Sequence, residues 1–162
     1  MPMKNFAMVA LCFLFACGNP AINRGYGETP EELGEAIVLA LNDQSEENLH
    51  KLRVDKDQYI NTVWPEFQTK YPAQNFTGEF AWGNMNQKCL KGVSKWVRRY
   101  GGNDYEFVRI QFTGETQEYN TFKLRRGTVL TVKTPTGEEQ NLEILGSVVE
   151  KDRYYRLLSY DD

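Results

Sequence analysis

The 162-residue chain predicts an α+β domain, with N-terminal helices packed on one face of a curved antiparallel sheet of about five strands. Three observations carry that expectation. Apolar residues recur at helical spacing through much of the first hundred positions, Gly101-Gly102 closes that region, and from Asp104 onward the period drops to two. Helices followed by consecutive hairpins point to a sheet with its helices segregated to one side.

The first element is a leader. Lys4 precedes the uncharged apolar run from Phe6 to Ala16. A basic start followed by a short apolar stretch is a secretory signal, and it is shorter than the roughly 20 residues of a spanning helix. The run ends in Leu14-Phe15-Ala16-Cys17, which resembles the bacterial lipobox: a Leu stands three positions before the cysteine and a small residue just before it. Phe15 is bulkier than the usual occupant of the middle position. Cys12 follows Leu11, too large for the position before a cut, which leaves Cys17 as the lipidation site. The resemblance implies that Cys17 becomes the first mature residue and carries acyl groups that hold the protein on a membrane. The alternative is an ordinary signal peptide that leaves Cys17 an unmodified thiol.

The organisation that follows is a signal peptide over 1–16, a lipidated cysteine and flexible tether over 17–28, and a single α+β domain over 29–162. Gly18 lacks the aspartate that retains many lipoproteins in the inner membrane. The expected address is therefore the cell envelope, and the outer membrane facing the periplasm in a cell with two membranes.

Cysteine and charge exclude several classes. With Cys12 cleaved away and Cys17 acylated, Cys89 remains alone and no internal disulfide is available. A lone buried thiol behaves as a small hydrophobe, and a nucleophilic role would need a base where the chain has a single histidine, His50. The net charge is −3, and losing Lys4 with the leader makes it −4. That balance excludes a nucleic-acid binder.

Thr29-Pro30-Glu31-Glu32 opens the first helix of the domain, with Thr29 as cap, Pro30 at the first position and Glu32 completing a capping box. Leu33, Ala36, Ile37, Ala40 and Leu41 form its buried face, and Asn42-Asp43 ends it. Ser45 starts a shorter helix through Leu49 and Leu52. Asp55 caps another, which is expected to stop before Trp64-Pro65, and residues 66–78 read as a loop with at most a short strand. A long helix follows from about Glu79 to Tyr100. Its apolar stripe runs through Trp82, Met85, Cys89, Val93, Trp96 and Tyr100 and is expected to lie against the sheet. Gly101-Gly102 stops it.

Beyond Asp104, Glu106, Val108, Ile110 and Phe112 form one face of a strand. Further strands are expected at Tyr119–Arg125, Thr128–Thr134, Asn141–Glu150 and Arg153–Tyr160, with turns at Pro135-Thr136-Gly137 and Lys151-Asp152. The opening helix Glu31–Leu41, the short helix Ser45–Leu52 and the closing hairpin Ser147–Leu157 together resemble the nuclear-transport-factor-2-like, or cystatin-like, cone. The resemblance implies a pocket between helices and curved sheet. Arg153 departs from it, standing where such turns usually carry glycine, and no residue matches a catalytic position of that family.

Candidate sites are few. The aromatic run Tyr59, Trp64, Phe67, Tyr71, Phe76, Phe80 and Trp82 supplies a candidate apolar ligand mouth, for which Tyr59, Trp64, Phe80 and Trp82 are the binding residues; core packing uses the same residues. Lys88, Lys91, Lys95, Arg98 and Arg99 stand opposite the apolar stripe and read as a solvated face that complements the helix dipole. His50 with Asp55 and Asp57 is the one acid/base grouping, and Asp55 is already used as a cap. No phosphate loop, metal-ligand spacing or nucleophile elbow is present, so no catalytic residue, metal or cofactor is assigned. The expectation is a non-catalytic, lipid-anchored envelope domain that binds a partner protein or a small apolar ligand. The alternative is a hydrolase or isomerase built on the pocket of the same cone.

Overall fold

The computed structural model describes residues 18–72 and 75–160. The segment expected to be a signal peptide, 1–16, and Cys17 lie outside the described residues. Among the described residues six α-helical segments and seven strands follow one another, helices first. The α+β class therefore holds. Among the described residues no helix is long and apolar enough to cross a membrane.

The segment read as a tether is folded in part. Asn19 caps a short helix, α1 (Pro20–Arg24), by accepting from the N–H groups of Ala21 and Ile22. Both of those side chains are buried. Gly25 then turns in the left-handed region at φ 78°, and its carbonyl accepts from Arg156 Nε at 2.8 Å. Gly27 exchanges backbone hydrogen bonds with Tyr155 at 3.1 and 2.8 Å. Two apolar side chains and a strand-like pairing are enough to dock what composition alone reads as a spacer.

α2 (Pro30–Asn42) begins as expected, with Thr29 Oγ accepting from the Glu32 N–H at 3.1 Å. The return arm of the capping box lands one residue earlier, on the Glu28 N–H at 2.9 Å. α2 buries Leu33, Gly34, Ala36, Ile37, Val38, Ala40 and Leu41. α3 (Glu46–Lys51) is capped by Ser45.

From Asp55 the helix runs further than the sequence suggests. α4 (Lys56–Gln58) passes into a π-helical turn (Tyr59–Val63) and then α5 (Trp64–Lys70). Pro65 has no N–H for the Asn61 carbonyl, and its ring would strike that carbonyl in a regular helix. The π turn widens the helix by one residue, and the Trp64 N–H bonds to Tyr59 O instead. The proline reads as a stop only if the helix must stay regular, and residues 66–70 are accordingly helix rather than loop.

α6 (Gly78–Tyr100) matches its expected bounds, with Thr77 as cap. Cys89, Val93 and Trp96 are buried. Its main neighbours, however, are α2, α3, the π turn and α5 rather than the sheet, and the element seated on the strands is α2.

The strands make two sheets instead of a single five-stranded one. Glu106–Phe112 (β1), Thr128–Lys133 (β4) and Glu139–Leu142 (β5) form one in the order β1-β4-β5. Gln117–Glu118 (β2), Lys123–Arg125 (β3), Val148–Lys151 (β6) and Tyr154–Leu157 (β7) form the other in the order β2-β3-β6-β7. All these pairings are antiparallel. The expected strand at 119–125 breaks because Tyr119 N–H turns back to Phe122 O at 2.9 Å. Glu66 of α5 holds that turn by accepting from the N–H groups of Asn120 and Thr121. The expected strand at 141–150 breaks where Gly146 leaves one sheet for the other. At the corner between sheets, Gly127 has φ 62° and a Cβ there would lie 2.6 Å from Gly114 N. Only glycine allows these two backbones to cross so closely.

β1 also corrects its expected face. A bulge lies between Phe107 and Arg109, with Phe107 opposite Val132 and Ile110 opposite Leu130. Val108 is the extra residue, so Phe107 joins Ile110 and Phe112 toward the core. The Phe107 ring rests on Gly34 of α2, where a Cβ would overlap its Cε2.

Two outcomes follow from this packing. Gly34→Ala would raise intrinsic helix stability by about 1 kcal/mol, but overlap with Phe107 costs roughly 1–3 kcal/mol. The urea midpoint should therefore fall, and Phe107→Leu in the same chain should recover part of the loss. A midpoint raised by Gly34→Ala would show that the ring does not sit there. Trp96→Ala should lower stability by about 3–5 kcal/mol, and an unchanged midpoint would place Trp96 on the surface.

Candidate functional site

Three of the four candidate binding aromatics come together. Tyr59 lies in the π turn with its ring 5.5 Å from Trp82 and 6.2 Å from Trp64. Around them Val54, Val63, Phe122, Leu124, Val149 and Leu158 form a second core cluster between the π turn, the start of α6 and the β2-β3-β6-β7 sheet. Burial pushes the Tyr59 hydroxyl up to about 12. Phe80 parts from this group. It is 52% exposed and stacks on Phe76 at 5.1 Å. The sequence-based mouth is thus a packed cluster plus one outlying surface pair.

A cleft of about 280 Å³ opens beside the cluster, and Trp82 belongs to both. One wall is the stretch from His50 to Lys56, the other Trp82, Asn86 and Leu90, which follow one another at four-residue steps along α6. The first wall is held by the sheet. Val54 N–H bonds Leu157 O at 2.8 Å, and Leu157 N–H bonds Leu52 O at 3.0 Å. A strand-like Leu52-Arg53-Val54 alternates its side chains, so Leu52 and Val54 enter the core while Arg53 points the other way, toward α6.

Arg53 is the unusual residue of this cleft. It is only 4% exposed, yet among the described residues no carboxylate pairs with it. Its Nη1 donates to Asn86 Oδ1 at 3.1 Å and lies 3.5 Å from His50 Nδ1. Its guanidinium sits over the Trp82 ring, 5.6 Å from the centroid. Nε and Nη2 are buried and have no hydrogen-bond partner. Buried cations ordinarily have a counter-charge, and a buried donor without an acceptor costs on the order of 1–3 kcal/mol, more for a charged group.

The other cations lining the cleft are paired. Lys51 meets Glu47 at 2.7 Å, Lys56 meets Glu79 at 2.7 Å and Arg156 meets Asp55 at 2.9 Å. Burial raises the Asp55 carboxyl, but the Gln58 N–H and the Arg156 guanidinium outweigh it and leave the group below its ordinary value. His50 is pushed below its ordinary value by burial and by the Arg53 charge, with Glu46 opposing. The imidazole is therefore neutral at pH 7 and faces a cation. A base oriented for catalysis has an acid or hydroxyl partner in that place.

The remaining features are chemically plainer. A cleft of about 460 Å³ lies at the corner between the sheets, lined by Thr113, Arg126, Gly127, Glu143, Gly146 and others. Arg126 there already donates to Gln117 at 2.9 Å. Among the described residues no group of three or more His, Cys, Asp or Glu is placed to hold a metal ion. Cys89 is a buried free thiol. Lys88, Lys91, Lys95, Arg98 and Arg99 are exposed on α6. Lys95 and Arg99 lie over the rings of Trp96 and Tyr100 at 4.4 and 5.2 Å.

Sequence reasoning passed over Arg53, Asn86 and Leu90. The available signal was a single arginine between Leu52 and Val54, a charge inside an apolar pair. Arg53→Met keeps the side-chain length and removes the charge. Its thermal midpoint should equal or exceed that of the parent, since no ion pair is lost and the desolvation cost disappears. A fall equivalent to more than about 2 kcal/mol would show that the guanidinium supports the fold. Comparison with protein-family models, curated proteins and solved structures finds no match for this chain.

Proposed function

We propose that this is a lipid-anchored cell-envelope protein that acts by binding rather than by catalysis. Acyl groups on Cys17 hold it on a membrane, the outer one facing the periplasm in a cell with two membranes. Its folded domain takes a partner protein of the envelope or a small apolar ligand. The observation that carries the reading is Leu14-Phe15-Ala16-Cys17 standing next to a domain already begun at Asn19, the cap of α1. With Gly18 alone between the acylated residue and that cap, the free chain spans no more than about 7 Å. The domain would ride on the bilayer surface instead of swinging on a long leash.

Support for binding over catalysis comes from the cleft, where His50 faces Arg53 and the Arg53 guanidinium is fixed by donating to Asn86 Oδ1. The likeness to the nuclear-transport-factor-2-like cone belongs to the same proposal. The two sheets are read as halves of one sharply bent wall. Thr113 N–H to Gly127 O at 2.9 Å and Gly114 N–H to Arg126 O at 3.0 Å continue the ladder through the corner.

The anchor is tested by metabolic labelling with an alkyne fatty acid. The parent chain should be tagged and found with membranes, while Cys17→Ser should drop to background label and move to the soluble envelope fraction. Equal labelling of the two chains would overturn the assignment.

A further inference from the structure

The missing counter-charge of Arg53 points to a ligand. We propose that the cleft between residues 50–56 and the Trp82–Leu90 face of α6 binds a small organic anion, its carboxylate or phosphate group on Arg53 and its apolar part against Trp82 and Leu90. The inference rests on the reading of the domain as a binding module. It does not depend on the lipid anchor.

Three independent features converge on that chemistry. Arg53 is buried, and its Nε and Nη2 have no acceptor. A guanidinium presents its N–H groups as a planar fork that matches two oxygens of a carboxylate or phosphate. Asn86 and Trp82 fix the fork from the side and from the face, leaving that edge unpaired. The remaining lining fits an anion that is partly apolar. Lys51, Lys56 and Arg156 line the cleft but are each matched by a carboxylate, so Arg53 is the cation of the lining, among the described residues, that an incoming anion would meet unpaired. Leu90 is a large apolar side chain left exposed on the wall. At about 280 Å³ the cleft suits a ligand at the small end of the usual range.

The cost argument points the same way. A well-packed apolar side chain at position 53 would avoid the desolvation of an unpaired cation, so the arginine is better accounted for by what it holds than by the fold.

The test is calorimetric titration of the full chain in non-ionic detergent, with phenylacetate, phenyl phosphate, inorganic phosphate and benzyl alcohol as probes. One or both aromatic anions should bind, and their ratio separates carboxylate from phosphate. Inorganic phosphate should bind at least tenfold more weakly than phenyl phosphate, and benzyl alcohol not measurably. A hundredfold excess of the better anion over its Kd should raise Tm by roughly 5–10 °C. Arg53→Met should lose at least tenfold in affinity. Leu90→Glu, at an exposed position that tolerates change, should do the same by placing a carboxylate at the mouth, and it covers the case in which Arg53→Met does not fold. Cys17→Ser should bind as the parent does, which separates failure of this inference from failure of the anchor. Binding of neither aromatic anion, or affinity unchanged in Leu90→Glu, would overturn the proposal.

Discussion

The seat of α2 on β1 is the constraint from which the rest of the fold hangs. Phe107 lies on the bare backbone of Gly34, which lets helix and strand approach closely. At the far end Asn42 acts as a false strand, donating to Tyr105 O at 2.8 Å and accepting from Tyr105 N–H at 2.9 Å. The residue that leads into β1 is thus tied by its backbone to the end of α2. Nearly every side chain on the inner arc of α2 is buried, so this one helix touches α1, α3, α6, β1 and β7. Removing solvent from that arc, at about 25 cal/mol per Å² of apolar surface, supplies the driving force. The glycine and the asparagine supply the register.

Because α2 occupies the sheet, the long helix is displaced outward onto a layer of helices. That displacement creates the cleft. α6 rests on α3 and the π turn, and the chain between them, Lys51 to Lys56, must cross from helix to sheet edge beneath it. The edge of β7 is closed from both ends, by Gly27 and by Leu52–Val54. An open sheet edge is a hazard for uncontrolled pairing, and closing it here also carries Arg53 under α6. The π turn belongs to the same economy of space. By absorbing Pro65 without ending the helix, it lets Glu66 reach the Asn120-Thr121 turn and sets Tyr59 against Trp82.

The polar groups of the cleft sort themselves by partner. Lys51, Lys56 and Arg156 have acidic neighbours and stay partly in water, where such pairs contribute little to stability. Arg53 is out of water with an amide, an imidazole and a ring face around it, none of them an anion. A neutral amide and a quadrupole offset only part of the lost hydration. Burial, with the Arg53 charge added to it, holds His50 below its ordinary value. The site is therefore polarised toward accepting negative charge, and Asp55 does not discharge it because its oxygens are committed to Gln58 and Arg156.

The sequence by itself determined the α+β class and the elements whose signals are local. Thr29, Ser45 and Asp55 each cap the helix whose start they mark, because a cap is a bond between residues three positions apart. The stripe on α6 and the change of period at Asp104 are local in the same sense. What only tertiary structure decided is every feature that depends on residues far apart in the chain. The bulge at Val108 exists because Phe107 must meet Gly34 and Ile110 must meet Leu130, and strict alternation cannot satisfy both. Ala21 and Ile22 leave the tether because a core formed from later residues receives them. Arg53 became a buried cation without a counter-charge only when Asn86, 33 positions on, and Trp82 closed over it. Burial and unpaired charge are properties of an enclosure, and an enclosure has no period to read along a sequence.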